Sequence, residues 1–118
     1  MKLAAAVFAG GCAGGLLRTV LVRGVAHSPG TWPWTTFLVN VAGALALGAI
    51  AARSPVGTTR RALLGTGACG ALTTFSTLQL EVVLMLRDGH AALAAGYVAA
   101  SLAAGLLAVR LGRRAVAA

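Results

Sequence analysis

Gly67-Ala68-Cys69-Gly70-Ala71-Leu72-Thr73-Thr74-Phe75-Ser76-Thr77-Leu78-Gln79-Leu80-Glu81 is the stretch that decides how this chain folds. It sets four hydroxyl side chains, a glutamine and a carboxylate inside an apolar segment of membrane-spanning length. Polar groups in hydrocarbon are costly, so such a run faces a protein interior or a water-filled path. Gly67, Gly70 and the Thr73–Thr74 pair also weaken the helix where it should cross the bilayer middle. Irregular backbone at that depth is tolerated only where buried protein or a cavity satisfies its amides and carbonyls. Function is therefore expected at this segment.

The rest of the chain agrees with a membrane setting. Of 118 residues, 58% are hydrophobic and 10% charged, with Glu81 and Asp88 the only acids. A soluble domain carries roughly 25% charged residues, so a water-soluble fold is excluded. About 20 apolar residues cross the hydrocarbon core, and four segments are long enough, approximately residues 3–22, 34–52, 62–86 and 91–109. The connections are short, which predicts an all-α membrane protein with one four-helix domain over residues 1–118.

The net charge of +8 collects at segment ends, where the positive-inside rule places basic residues. Lys2, Arg53, Arg60, Arg61, Arg110, Arg113 and Arg114 share one side; Arg18, Arg23 and Arg87 share the other. The imbalance favours one orientation, with termini in the cytoplasm. No basic patch interleaves with aromatics as nucleic-acid stacking requires, so nucleic acid is not an expected partner. Lys2 followed by an apolar run resembles a signal peptide, and Ala9-Gly10-Gly11-Cys12 a lipoprotein cleavage site. Three further spans follow, which makes this stretch a first transmembrane helix. Cys12 and Cys69 have neither zinc nor redox spacing and read as two small buried residues.

Within the spans, Gly10 with Gly14 and Gly11 with Gly15 are small-xxx-small pairs that let two backbones approach closely. Arg18 either snorkels to the interface or lines a vestibule. Ser28-Pro29-Gly30-Thr31-Trp32-Pro33-Trp34 marks a turn, with Trp32 and Trp34 in an interfacial aromatic belt. Thr36 and Asn40 share one face of the second span; Asn40 serves an interhelical hydrogen bond or lines a path. Tyr97, Ser101 and Gly105, spaced by four, form a stripe on the fourth span. His90 reads as a solvated loop residue.

No enzyme constellation is present: the two acids are far apart, no His has a Ser or Cys partner, and no phosphate loop occurs. What remains is a set of nearly uncharged intramembrane donors, namely Asn40, Thr73, Thr74, Ser76, Thr77, Tyr97 and Ser101. Such a lining suits a small, hard, strongly hydrogen-bonding ion. Phe75 adds a ring whose edge is weakly positive. Selectivity through lining groups and narrow diameter is the general mechanism of membrane pores.

These residues resemble the Fluc (CrcB) fluoride-channel family. Its third-span signature, Gly-x-x-Thr-Thr-Phe-Ser-Thr-Phe before a glutamate, is similar to Gly70-Ala71-Leu72-Thr73-Thr74-Phe75-Ser76-Thr77-Leu78 followed by Glu81. Gly10-Gly11-Cys12-Ala13-Gly14-Gly15-Leu16-Leu17-Arg18 resembles the family's Gly-Gly-x-x-Gly-x-x-x-Arg with one glycine shifted. Thr36, Asn40 and Gly43 resemble its Thr-x-x-x-Asn-x-x-Gly, and Tyr97 with Ser101 its Tyr-x-x-x-Ser. Four motifs in order cover essentially the whole chain.

The resemblance implies an antiparallel, dual-topology-type dimer of four-helix subunits, with two fluoride pores at the interface and a third helix broken at mid-membrane. It implies pore roles for Asn40, for Phe75 and the position of Leu78, and for Tyr97 and Ser101, with a vestibule role for Arg18; Thr77 is a further pore candidate from its place in the span. It also implies a structural Na⁺ at the interface, held by backbone carbonyls of Gly70 and Thr73 from both subunits. The expected activity is passive export of cytoplasmic fluoride through the inner (plasma) membrane, relieving fluoride toxicity. Fluoride that enters as the neutral acid is trapped inside as the anion, and passive exit protects the cell.

Two departures stand out. Leu78 occupies the place of a family phenylalanine, and the charge imbalance opposes insertion in both orientations. Both are compatible with an alternative, one subunit of a heterodimer completed by a paralogue. A second alternative, a small multidrug-resistance-type transporter, needs a carboxylate in the first helix, and none is there. Glu81 is expected to pair with an arginine or to bond to backbone. Thr77 lines a pore or returns its hydroxyl to a helix carbonyl.

Overall fold

A computed structural model of the chain describes residues 1–24 and 30–117. Ser28 and Pro29 of the expected turn lie outside the described residues; Gly30, which follows them, takes a positive φ of 80°. Long apolar stretches without proline form α1 (Lys2–Gly24), despite its glycine pairs, and α2 (Trp34–Arg53). A π-helical segment, Arg61–Cys69, passes into a single α-helical turn, α3 (Gly70–Leu72). After Thr73 and Thr74 the chain resumes as α4 (Phe75–Arg87), turns at Gly89, and ends in α5 (Ala91–Ala117).

Four helical stretches are long and apolar enough to cross a membrane: Lys2–Gly24, Trp34–Arg53, Arg61–Arg87 and Ala91–Ala117. Among the described residues there is no strand. The longest dimension, 47 Å, exceeds a hydrocarbon core of about 30 Å and leaves helix ends at headgroup depth.

The helix ends have local causes. Ser54 is extended (φ −126°, ψ 112°) because it precedes Pro55, whose ring disfavours the helical region for the residue before it. Arg61 then reaches back: its Nη1 donates to the carbonyls of Ser54 at 3.2 Å and Ala51 at 3.4 Å. A cation at a helix C-terminus meets the orphaned carbonyls and the negative end of the dipole.

Packing rests on glycine. On α1, Gly10 and Gly14 are buried against the π-helical segment, where an added Cβ would overlap the carbonyls of Leu63 and Ala68. Gly11 and Gly15 face open space, so only one of the two expected small-residue pairs makes this contact. Gly67 closes the same seam from the other side, 3.0 Å from the Gly10 Cα for an added Cβ. α2 and α5 run in the same direction: Trp32 meets Tyr97 near their start, and Gly48 meets the Val109 backbone near their end. Cys69 is buried, but Cys12, expected inside, is exposed, because it sits off the Gly10–Gly14 face. On α5, Arg110, Arg113 and Arg114 are exposed on the face opposite buried Ala108 and Gly112, where long basic side chains snorkel to water.

Gly14→Ala is expected to lower stability by about 1–3 kcal/mol through overpacking, while Gly15→Ala leaves it unchanged. Melting midpoints of the detergent-solubilised variants check this, and equal loss at both sites would contradict the packing.

Candidate functional site

The interruption of the third span is local and well defined. Thr73 (φ −71°, ψ 151°) and Thr74 (φ −144°, ψ 115°) are both extended. The Thr73 amide and its Oγ1 both donate to the Cys69 carbonyl at 3.0 Å, closing the first half. Thr74 opens the second half as an N-cap: its Oγ1 accepts the Thr77 amide at 3.2 Å. The same hydroxyl donates to Thr77 Oγ1 at 3.0 Å and lies 3.3 Å from Ser76 Oγ.

The gap between the halves is bridged from α2. The Thr74 amide donates to Asn40 Oδ1 at 2.7 Å, and Asn40 Nδ2 donates to the Thr74 carbonyl at 3.2 Å. A primary amide supplies an acceptor and a donor side by side, so it mimics a passing strand of backbone. Asn40 therefore makes an interhelical hydrogen bond, and its second Nδ2 hydrogen stays uncommitted. Gly43, one turn further along α2, lets Thr73 approach; an added Cβ would overlap the Thr73 methyl.

The break takes the i+4 amides from the carbonyls of residues 70–73, Gly70 and Thr73 among them. In a continuous helix, the amides of Thr74 and Thr77 would satisfy the carbonyls of Gly70 and Thr73. Here those amides go to Asn40 Oδ1 and Thr74 Oγ1 instead.

A second polar group lies two turns along α4. Glu81 Oε1 accepts Thr36 Oγ1 at 2.7 Å, and Oε2 accepts Tyr97 Oη at 2.6 Å. The expectation that Glu81 pairs with an arginine or with backbone is corrected: both partners are hydroxyls, because α2 and α5 bring Thr36 and Tyr97 to it. Likewise Thr77 Oγ1 receives the Thr74 hydroxyl rather than returning to a helix carbonyl. Tyr97 is fully buried in a cluster with Met85 and Ala94, against which Trp32, Phe37, Leu78, Val82 and Leu93 pack. Trp32 stands edge-on to Tyr97 (ring centroids 5.4 Å apart, 78° between planes) and to Phe37 (5.5 Å, 77°). It belongs to this core as much as to an interfacial belt, whereas Trp34 is exposed.

The remaining candidates divide. Ser101, one turn after Tyr97, has a buried Oγ without a partner. Phe75 is 72% exposed; Ser76 and Gln79 are exposed beside it on α4. Gly70 is exposed and Arg18 half-buried. Sequence reasoning missed the buried Nε1 of the half-buried Trp32 and the joining of Thr36, Glu81 and Tyr97. The only signal for the latter was a lone carboxylate in a span, with Thr36 and Tyr97 on the inward faces of neighbouring spans.

Four candidate spans, packed through glycine around a hydrogen-bonded interruption, make this a multi-pass membrane protein, in bacteria one of the plasma membrane. The family model described as CrcB-like protein, Camphor Resistance (CrcB), matches residues 5–113, and the chain belongs to that family. It is 52% identical over 116 residues to "Fluoride-specific ion channel FluC 1" of Mycolicibacterium paratuberculosis, covering 95% of this chain and 88% of that protein. It is 44% identical over 121 residues to "Fluoride-specific ion channel FluC 2" of Bacillus subtilis, covering 97% and 90%. A third relative, "Fluoride-specific ion channel FluC" of Novosphingobium aromaticivorans, is 40% identical over 118 residues, covering 95% and 94%. These relatives are named as ion channels, not enzymes, and the reading as a dependent half of a heterodimer is not favoured.

Asn40→Ala leaves the Thr74 amide without its acceptor and removes one of the bonds to the Thr74 carbonyl, and is expected to cost about 2 kcal/mol. Tyr97→Phe, which leaves Glu81 with one hydroxyl, is expected to cost about 1 kcal/mol. Unfolding in mixed micelles checks both; an unchanged Asn40→Ala would dismiss the bridge.

Proposed function

We propose that the chain is a fluoride-selective channel that lets cytoplasmic fluoride leave down its gradient. The observation that carries this reading is a set of uncharged donors with uncommitted hydrogens on adjacent spans. They are the second Nδ2 hydrogen of Asn40, the Thr77 hydroxyl and the buried, unpartnered hydroxyl of Ser101. A buried donor without an acceptor, as at Ser101, is rare and calls for an occupant. Fluoride is small and the strongest acceptor among the halides, so such donors replace its water shell where they would serve a larger halide poorly. The names of the relatives agree with this occupant.

The working unit is a dimer. Phe75, Ser76 and Gln79 are exposed on one side of α4, and a glutamine left against lipid has nothing to bond to. A second copy placed on this face buries those groups and brings Phe75, whose ring edge attracts an anion weakly, toward the pathway. An antiparallel arrangement follows the family resemblance and requires some copies to insert against the charge imbalance of seven basic residues to three. Arg18, half-buried on α1, stands toward the aqueous mouth.

A structural Na⁺ fits the same interface. The carbonyls of Gly70 and Thr73 have lost their helical amides, and Gly70 has no side chain to bar access to them. Hard cations take oxygen ligands, and unwound backbone carbonyls serve as cation sites in membranes. The ion supplies fixed positive charge, and this offsets part of the cost of holding an anion nearby.

Liposomes containing only this protein are expected to release fluoride rapidly and chloride at background rate. Asn40→Ala or Phe75→Ala is expected to slow release at least tenfold. Equal release of both halides, or none, would refute the channel. Native mass spectrometry of the detergent complex is expected to show two chains, and a monomer that still conducts would refute the dimer.

A further inference from the structure

The last turns of α5 carry charge that no acidic side chain of the protein balances. Arg113 and Arg114 follow Arg110 by three and four residues, so all three share one side of the helix, and all are exposed. Arg53, also exposed, ends α2 beside them. The two helices meet backbone to backbone just before these ends: an added Cβ on Gly112 would overlap the Leu45 carbonyl and lie 3.1 Å from the Ala49 amide nitrogen. Arg53 comes one turn after Ala49, which sets it level with the arginines of α5. Arg61 spends its guanidinium on the carbonyls at the end of α2. The other four guanidinium groups make no hydrogen bond among the described residues. The two acidic side chains stand elsewhere: Glu81 is bound to Tyr97, about 20 Å before Arg110 along α5, and Asp88 closes α4 at the opposite end of the bundle.

The neighbouring surface indicates what supplies the missing acceptors. Leu102 and Leu106 precede Arg110 at one-turn intervals on the same face and are 65% and 63% exposed. They belong to the apolar span Ala91–Ala117. One face of α5 therefore passes from bare leucine to clustered guanidinium where the helix leaves the hydrocarbon. A soluble anion would use only the second half of that face, whereas a phospholipid uses both. Guanidinium forks pair two N–H groups with phosphate oxygens, and long arginine side chains reach headgroup depth from a helix end. A zwitterionic headgroup brings its own cation. Four arginines without an acid favour a lipid of net negative charge.

We propose that the end of α5, with Arg53 beside it, binds an anionic phospholipid, its phosphate on the arginines and an acyl chain along Leu106 and Leu102. The surface lies on the side of α5 away from Tyr97 and Ser101, and it does not depend on the channel reading.

The full-length protein in detergent is titrated with phosphatidylglycerol, with phosphatidylcholine of the same chains, and with glycerol phosphate, and bound molecules are counted by native mass spectrometry. Phosphatidylglycerol is expected to bind saturably and at least about tenfold more tightly than phosphatidylcholine, and glycerol phosphate not at all. Arg110→Gln, Arg113→Gln and Arg114→Gln are each expected to weaken phosphatidylglycerol about fivefold, and the triple variant about a hundredfold. Arg87→Gln, at the other end beside Asp88, is expected to leave it unchanged. Each single variant keeps the excess of basic residues at its own end, and with it the orientation, so the single variants decide the matter if the triple variant fails to insert. Equal binding of the two lipids would overturn the surface, as would glycerol phosphate binding as tightly as phosphatidylglycerol. Wild-type affinity in the α5 variants, or an equal loss from Arg87→Gln, would do the same.

Discussion

The pair of hydrogen bonds between the Asn40 side chain and the Thr74 backbone is the constraint on which the site depends. A membrane helix cannot stop at mid-length unless something replaces its internal bonds. One primary amide on α2 takes over the displaced Thr74 amide and adds a second bond to the Thr74 carbonyl. It holds Thr74 extended, which frees the Thr74 hydroxyl to start α4 and leaves the Gly70 and Thr73 carbonyls without amides. Cap, orphaned carbonyls and exposed Phe75 are consequences of that exchange.

The glycines set how near the neighbouring helices come. Lipid is as apolar as leucine, so helices associate through close packing rather than by escaping water. Gly10 and Gly14 put α1 on the backbone of the π-helical segment, and Gly43 admits Thr73 to α2. Had α2 stood one methyl further away, the Asn40 amide would not reach Thr74. The small residues therefore position a polar bond they do not touch.

Glu81 shows how one chain keeps a carboxylate in an apolar span. Two hydroxyl donors, at 2.7 and 2.6 Å, satisfy one oxygen each, with no ion pair among the described residues. A buried ion pair costs the desolvation of two ions, whereas two neutral donors cost far less. Leu78 packs against the same cluster, so this position, where the family pattern has a ring, contributes to the core around Tyr97. The aromatic character there comes instead from Trp32 and Phe37, which arrive from the start of α2.

Composition and hydropathy by themselves determined the membrane setting and the four helices, because the need to cover about 20 residues of backbone with apolar side chains is a local, one-dimensional property. They also marked the Thr73–Thr74 weak point, since glycine and paired β-branched residues lower helix propensity wherever they stand. Which donor meets which acceptor was not legible there. Asn40 and Thr74 are 34 residues apart, and Glu81 and Thr36 are 45 apart, and no periodicity couples such distances. Only the tertiary structure decided that Glu81 takes hydroxyls rather than an arginine, that Ser101 and Trp32 keep buried donors unspent, and that Phe75 turns outward. Hydrogen bonds form over 3 Å in space, and the placement of α2 and α5 beside α4 brings those atoms within that reach.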